Sequence, residues 1–384
     1  MTTNAMNKGY PMKKYLFIIL LSIVSCRNTT NNVSKIAEGQ LVLNFEAQPA
    51  SVFFSDRIFG KIEMTPLETA DNCLVGREPI ELLLDQQHYF IKDNQQQVIF
   101  RFDRAGIFIN SIGSRGMGPE EYSGIYDFDI DPTTNLVEIL APAGILLRYD
   151  YNGRFVFKQK YNESMLSFIK TGVDYWFFTE QITGNERLMK VSEDGTVIAK
   201  FLPAKTSWMA FLEKNFERCG DIISFKDIFS QTVYRITEDG PVKTTVFDFG
   251  KYTIPDRLYN LEMADAFNEL ENRNYAVIFK YLENERFVYL YFVIIPKTDS
   301  PNDEYLWLVN KKTGNSVMQK FSPADPLFEM LGGAKALTAD KELVFMADAQ
   351  LLKACADPFF KNSIADSLPD DSNPVIISLQ INDF

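Results

Sequence analysis

Between Ser111 and Tyr122 the chain reads SIGSRGMGPEEY. Gly113, Gly116 and Gly118 free the backbone, and Pro119 stiffens it. Arg115, Glu121 and Tyr122 add a cation, a carboxylate and a hydroxyl-bearing ring. Two readings follow. These three residues line a ligand site, or the glycines shape a crossover in which Glu121 and Tyr122 bond neighbouring structure. No Lys-Ser/Thr follows and no helix opens behind the loop, so it is no phosphate cradle of the usual kind.

Asp127, Asp129, Asp131 and Glu138 stand at the first, third, fifth and twelfth positions of a calcium-loop pattern. Pro132 occupies the sixth position, where such loops need glycine. Phe128 and Ile130 alternate with the acids as in a strand. A strand ending in an Asp-Pro-x-x-Asn turn accounts for the segment better, and no metal is assigned. The single histidine, His88, excludes multi-histidine metal sites and supports no nucleophilic triad. Trp176, Trp208 and Trp307 could stack on sugars, although packing inside the fold is the commoner role of such residues. Cys73, Cys219 and Cys355 show no metal or redox spacing and read as buried structural thiols. No catalytic residue and no cofactor are assigned.

The elements that would position these residues repeat. Phe102-Asp103-Arg104-Ala105-Gly106-Ile107-Phe108 is an aromatic strand end, a tight turn closed by glycine, and a returning strand. Copies turn at Gly153, Gly195 and Gly240, in steps of about 47, 42 and 45 residues, with a looser copy at Gly314. Several short strands per unit at this period are the mark of propeller blades, which bury both faces only by stacking radially. The step to Gly314 is longer by about a helix. Leu258, Leu261, Phe267 and Leu270, behind Pro255, supply the helical spacing, so an insertion is expected there. A second helix is expected over Asp348 to Ala356. Leu41 to Phe45 and Ser51 to Phe54 read as short strands, and Met64 to Gly76 as an extended arm. The apolar run Val375 to Ile381 is expected to close the ring by pairing near Leu41 to Phe54.

Lys13 and Lys14 precede an apolar run, Tyr15 to Val24, too short to span a bilayer. Ile23-Val24-Ser25-Cys26 resembles a bacterial lipobox. That resemblance implies removal of residues 1–25 and lipidation of Cys26, with residues 26–38 as a flexible polar tether. Met1, Met6 and Met12 are alternative starts. The formal net charge of −12 argues against nucleic acid as a partner. The 32 Phe and 17 Tyr lean towards sheet.

The segments Pro66-Leu67-Glu68-Thr69 with Leu74-Val75-Gly76, Phe102 to Phe108, Ile112 to Tyr122, Asp129 to Asn135, Asp248-Phe249-Gly250 with Ile254-Pro255, and Asn373-Pro374-Val375-Ile376 carry a wider likeness. Together they resemble a family of six-bladed β-propeller lipoproteins of Gram-negative bacteria, akin in architecture to NHL-repeat propellers. Glu120 departs from that pattern, which places glycine there. The resemblance implies an all-β, six-bladed propeller over residues 39–384, closed by N- and C-terminal strands. It carries over no catalytic residue. The expected protein is a binding or scaffolding module held in the outer membrane by its lipid, facing the periplasm or the cell surface. Its partner would be a glycan, a peptide or a protein. The alternative is a propeller hydrolase or lyase acting on glycan or peptide at the channel mouth.

Overall fold

Alternating strands of two to nine residues, joined by Gly- and Asp-rich turns, organise the chain into six sheets. The computed structural model describes residues 33–35, 40–45, 51–76, 80–179, 186–204, 214–227, 229–296, 302–322, 325–361 and 363–384. Residues 1–25, Cys26, most of the expected tether and Trp208 lie outside them. Each sheet is one blade of a six-bladed propeller. Blade 1 comprises Ile80–Leu84, His88–Asp93, Val98–Asp103 and Phe108–Ser111. Blade 2 spans residues 127–160, blade 3 residues 165–203, blade 4 residues 216–248 and blade 5 residues 276–321. Blade 6 joins Ala336–Leu337, Glu342–Ala347 and Val375–Ile381 to Phe59–Pro66. The first strands of neighbouring blades meet around the axis.

The closure differs from the sequence expectation. Val375–Ile381 pairs antiparallel with Phe59–Pro66, in the register Val375↔Pro66 to Ile381↔Phe59. Leu41–Asn44 instead lies parallel to the outer strand of blade 4, from Thr245↔Leu41 to Asp248↔Asn44. There Leu43 and Phe45 are buried, and the added strand covers an otherwise open sheet edge. Val33–Lys35, inside the expected tether, pairs with Leu41–Leu43. Ser51–Phe54 forms no strand. Its Phe53 and Phe54 plug the seam between blades 5 and 6, beside Phe345 and Phe321. Phe59–Pro66 was hidden in the sequence because it is an outermost strand. Lys61 and Glu63 reach solvent and dilute its apolar pattern.

Six apolar clusters sit at the six blade seams. Trp176 and Trp307 are buried within them. The repeated turn closes with glycine because its last residue is left-handed, as at Gly106 with φ 85°. The expected insertion is a 3-10 turn, Asp256–Asn260, followed by α1, Met263–Glu271, with Leu258, Ala266 and Leu270 buried. Two further short helices matter below: α2, Pro326–Leu331, and α3, Ala349–Ala354, each capped by an aspartate side chain.

Candidate functional site

Antiparallel order within each blade sends the connections alternately to two ends of the propeller. The links between blades, and those between second and third strands, share one end. That end carries the glycine loop, the helical insertion, α2, α3 and the arm 67–76.

The glycine loop is a crossover from blade 1 to blade 2. Glu121 turns its carboxylate back into the loop, where Oε2 accepts from Gly118 N at 2.8 Å. A Cβ on Gly116 would run into that carboxylate, which explains the glycine. Tyr122 is buried, and its ring stands edge-on to Tyr149 at 6.3 Å. Burial pushes its hydroxyl up to about 12, the nearby Arg115 pulling the other way. Tyr149 Oη donates to Glu120 O at 2.8 Å, and Lys158 Nζ to Pro119 O at 3.2 Å. The loop is thus tied to the outer strands of blade 2. Among the described residues, the left-handed non-glycines are Gln97, Asn135, Ala143, Leu202, Asn274 and Lys341, so Glu120 takes an ordinary conformation. The structure brings Arg115, Glu121 and Tyr122 together, and Arg115 is the exposed member of the three.

Asp127–Asp131 is a strand and Pro132 to Asn135 its turn, with Asp131 Oδ1 accepting from Thr133 N. The acids serve the blade seams. Asp127 accepts from Lys214 Nζ at 2.8 Å and from Phe168 N at 2.9 Å, and Asp129 faces Arg218 at 3.6 Å. Burial pushes the Lys214 ammonium down, but the carboxylates of Asp127 and Glu81 outweigh it and hold it above its usual value. Glu138 pairs with Arg148 at 2.9 Å, and Glu283 with Arg235 and Lys311 at 3.0 and 2.7 Å. Among the described residues, no three His, Cys, Asp or Glu side chains are grouped to hold a metal. His88 is half-buried, its ring against Phe90 and Tyr151. Cys73, Cys219 and Cys355 are free thiols, and only Cys73 is fully buried.

The feature with room for a ligand lies elsewhere on the same end. A cavity of about 760 Å³ opens over blade 6 and its seams with blades 5 and 1. Tyr291 and Glu304 of blade 5, Phe328 of α2, Leu351 of α3, Val75 of the arm and Ser372 form part of its wall. Asn373 holds the arm against the closing strand. Its Oδ1 accepts from Val75 N at 2.8 Å, and its Nδ2 donates to Glu68 O and Cys73 O at 2.6 and 2.8 Å. Glu68 in turn accepts from Phe108 N. Sequence reasoning missed this cavity. The signals it did have, Gly332-Gly333 and Asn373-Pro374, read only as breaks between elements.

Fold and seams define a six-bladed β-propeller. Residues 41–380 match the domain of unknown function DUF4934, and the chain belongs to that family. A presumed exported protein of Bacteroides fragilis has a similar structure, with a TM-score of 0.74 at 17% identity over 89% of this chain and 100% of that one. A DUF4221-family protein of Bacteroides vulgatus aligns with a TM-score of 0.54 at 9% identity, over 84% and 97% of the two chains. No curated protein matches the sequence.

Proposed function

We propose that this propeller is a lipid-anchored binding module of the cell envelope, and that the cavity over blade 6 is its ligand site. The cavity carries the reading. Its volume falls within the roughly 300–1,000 Å³ of small-molecule pockets. Its wall pairs apolar side chains such as Val75, Phe328 and Leu351 with acids and Lys335, so it offers both a surface for an apolar body and groups that orient a ligand. Arg115, exposed on the same end, is a second proposed contact for a larger glycan or peptide, while Glu121 and Tyr122 shape its loop. The lipobox-like Ile23 to Cys26 and the fold likeness to a presumed exported protein support an envelope address, with the outer membrane as the proposed location.

Two experiments test this. Cys26→Ser in the full chain should abolish recovery in the membrane fraction. Equal recovery of both forms would overturn the anchor. Pools of peptidoglycan fragments, oligosaccharides and short peptides should include one that raises the melting temperature of the detergent-solubilised chain. Ser372→Trp, placed at the cavity wall, should remove that rise. A rise that survives Ser372→Trp, or no rise from any pool, would overturn the cavity as the site.

A further inference from the structure

Buried carboxylates need compensation, because an ionised group removed from water is costly unless it is paired or fully hydrogen-bonded. Six acids are buried among the described residues: Asp93, Asp127, Asp129, Glu138, Glu283 and Glu304. Four of them face a Lys or Arg of this chain, as described above. Asp93 has no cation but accepts from Gly76 N, Gln95 N, Gln96 N and Gln96 Nε2 at 2.6–2.9 Å. Glu304 is the exception. It is 9% exposed, and its one side-chain partner among the described residues is Tyr291 Oη, which donates to Oε2 at 2.7 Å. Burial pushes its carboxyl above the usual value, against the pull of that hydroxyl.

Glu304 is also a wall of the cavity. The remaining charged wall residues are Glu329, Asp348, Asp370 and Asp371 against a single base, Lys335. Lys335 has a partner of its own, and among the described residues Glu304 is bonded by Tyr291. An anionic ligand would meet four further carboxylates. A neutral one would leave Glu304 as it is. The apolar wall, with the rings of Tyr291 and Phe328 at 5.6 Å, suits a hydrophobic body.

We infer that the cavity takes a ligand carrying a primary ammonium group on an apolar or aromatic body, with Glu304 receiving the ammonium. This deepens the reading of the cavity as a binding site and rests on it. A free amine and the amino terminus of a peptide present the same chemistry.

Calorimetric titration of the full chain with four probes tests the inference. Two carry the ammonium: 2-phenylethylamine and leucyl-phenylalanine amide. Two lack it: 3-phenylpropionate and the N-acetylated dipeptide amide. At least one amine should bind, and which one does so identifies the source. Glu304→Gln keeps the shape and removes the charge, so it should weaken that amine about tenfold or more. Ser372→Trp leaves Glu304 intact and should also block the amine. The two controls should not bind. Binding of 3-phenylpropionate as tight as that of the amine, indifference to Glu304→Gln, or no binding of either amine would overturn the inference. In those cases the cavity reading still stands or falls on the pooled-ligand experiment with Ser372→Trp, so the two failures are distinct.

Discussion

Asn373 is 2% exposed, and both polar atoms of its amide are used. Asn373→Ala would leave Val75 N and Cys73 O without that partner, while Glu68 O would keep the Cys73 thiol at 3.3 Å. Orphaned buried groups cost about 1–3 kcal/mol each, partly relieved by relaxation, so a loss of about 2–4 kcal/mol is expected in urea unfolding. A loss under about 0.5 kcal/mol, the range of an ordinary surface change, would mean that the arm is held by something else. Asp85 makes a comparable joint between blades 1 and 2. Its carboxylate accepts from Gln87 N and His88 N at 2.7 Å and from Tyr151 Oη at 3.0 Å. Burial pushes this carboxyl up, but those donors and the His88 ring outweigh it and hold it below the usual 3.8. A depressed carboxyl contributes stability above its unfolded value and loses it as pH falls through the folded one. The advantage of wild type over Asp85→Asn in melting temperature should therefore shrink from pH 4 downwards. A gap as wide at pH 2.5 as at pH 7 would rule out this linkage.

The repeated turn joins the third and fourth strands of blades 1 to 5, and left-handed glycines inside and outside it are not equivalent. Gly106 is left-handed at φ 85°, and a Cβ there would strike the carbonyl of Pro66, in the neighbouring blade. Gly172 is left-handed at φ 59° with open space around it. Left-handed backbone costs a side chain roughly 1–2 kcal/mol at either site. Overpacking against a fixed carbonyl adds about 1–3 kcal/mol at Gly106 alone. Gly106→Ala should thus destabilise by at least about 1 kcal/mol more than Gly172→Ala. Equal losses would show that the blade 6–blade 1 seam yields freely. The Gly106 carbonyl also accepts from Glu68 N at 2.8 Å, so the turn and the arm that lines the cavity are one construction.

The whole ring depends on one blade made from both ends of the chain. Blade 6 takes its outermost strand from Phe59–Pro66 and the next from Val375–Ile381. This explains why the turn repeat lacks a sixth copy: the third and fourth strands of that blade are not consecutive in sequence. Deleting residues after Pro374 would remove a strand buried between two others. It would strip the seams with blades 5 and 1 of Val375, Ile376, Ile377 and Leu379. Each blade is held by its neighbours, so aggregation or a large fall in melting temperature is expected rather than a clipped, intact protein. A soluble monomer of unchanged melting temperature on gel filtration and thermal melting would refute closure through this strand.

The blade repeat, most strands after residue 80 and the helical insertion were legible because their signals are local, whereas the count of six came from the family resemblance. A turn glycine, an alternating run or the spacing of Leu258, Leu261 and Leu270 acts over a few residues. The glycine loop was legible as a special segment for the same reason, and its two readings were separable only once Glu121 was seen turned back on Gly118. Tertiary structure alone decided which N-terminal strand closes the ring. Leu41–Phe45 and Phe59–Pro66 are both extended, and the choice depends on contacts about 300 residues apart, such as Val75 with Asn373. It alone decided the cavity as well. Asp303-Glu304 belongs to no motif in the sequence. Glu304 stands in the cavity wall because the register sets it opposite Val293, near Tyr291, and because α2, α3 and the arm line the same space. Burial is a property of the assembled seams, and no window of neighbouring residues contains it.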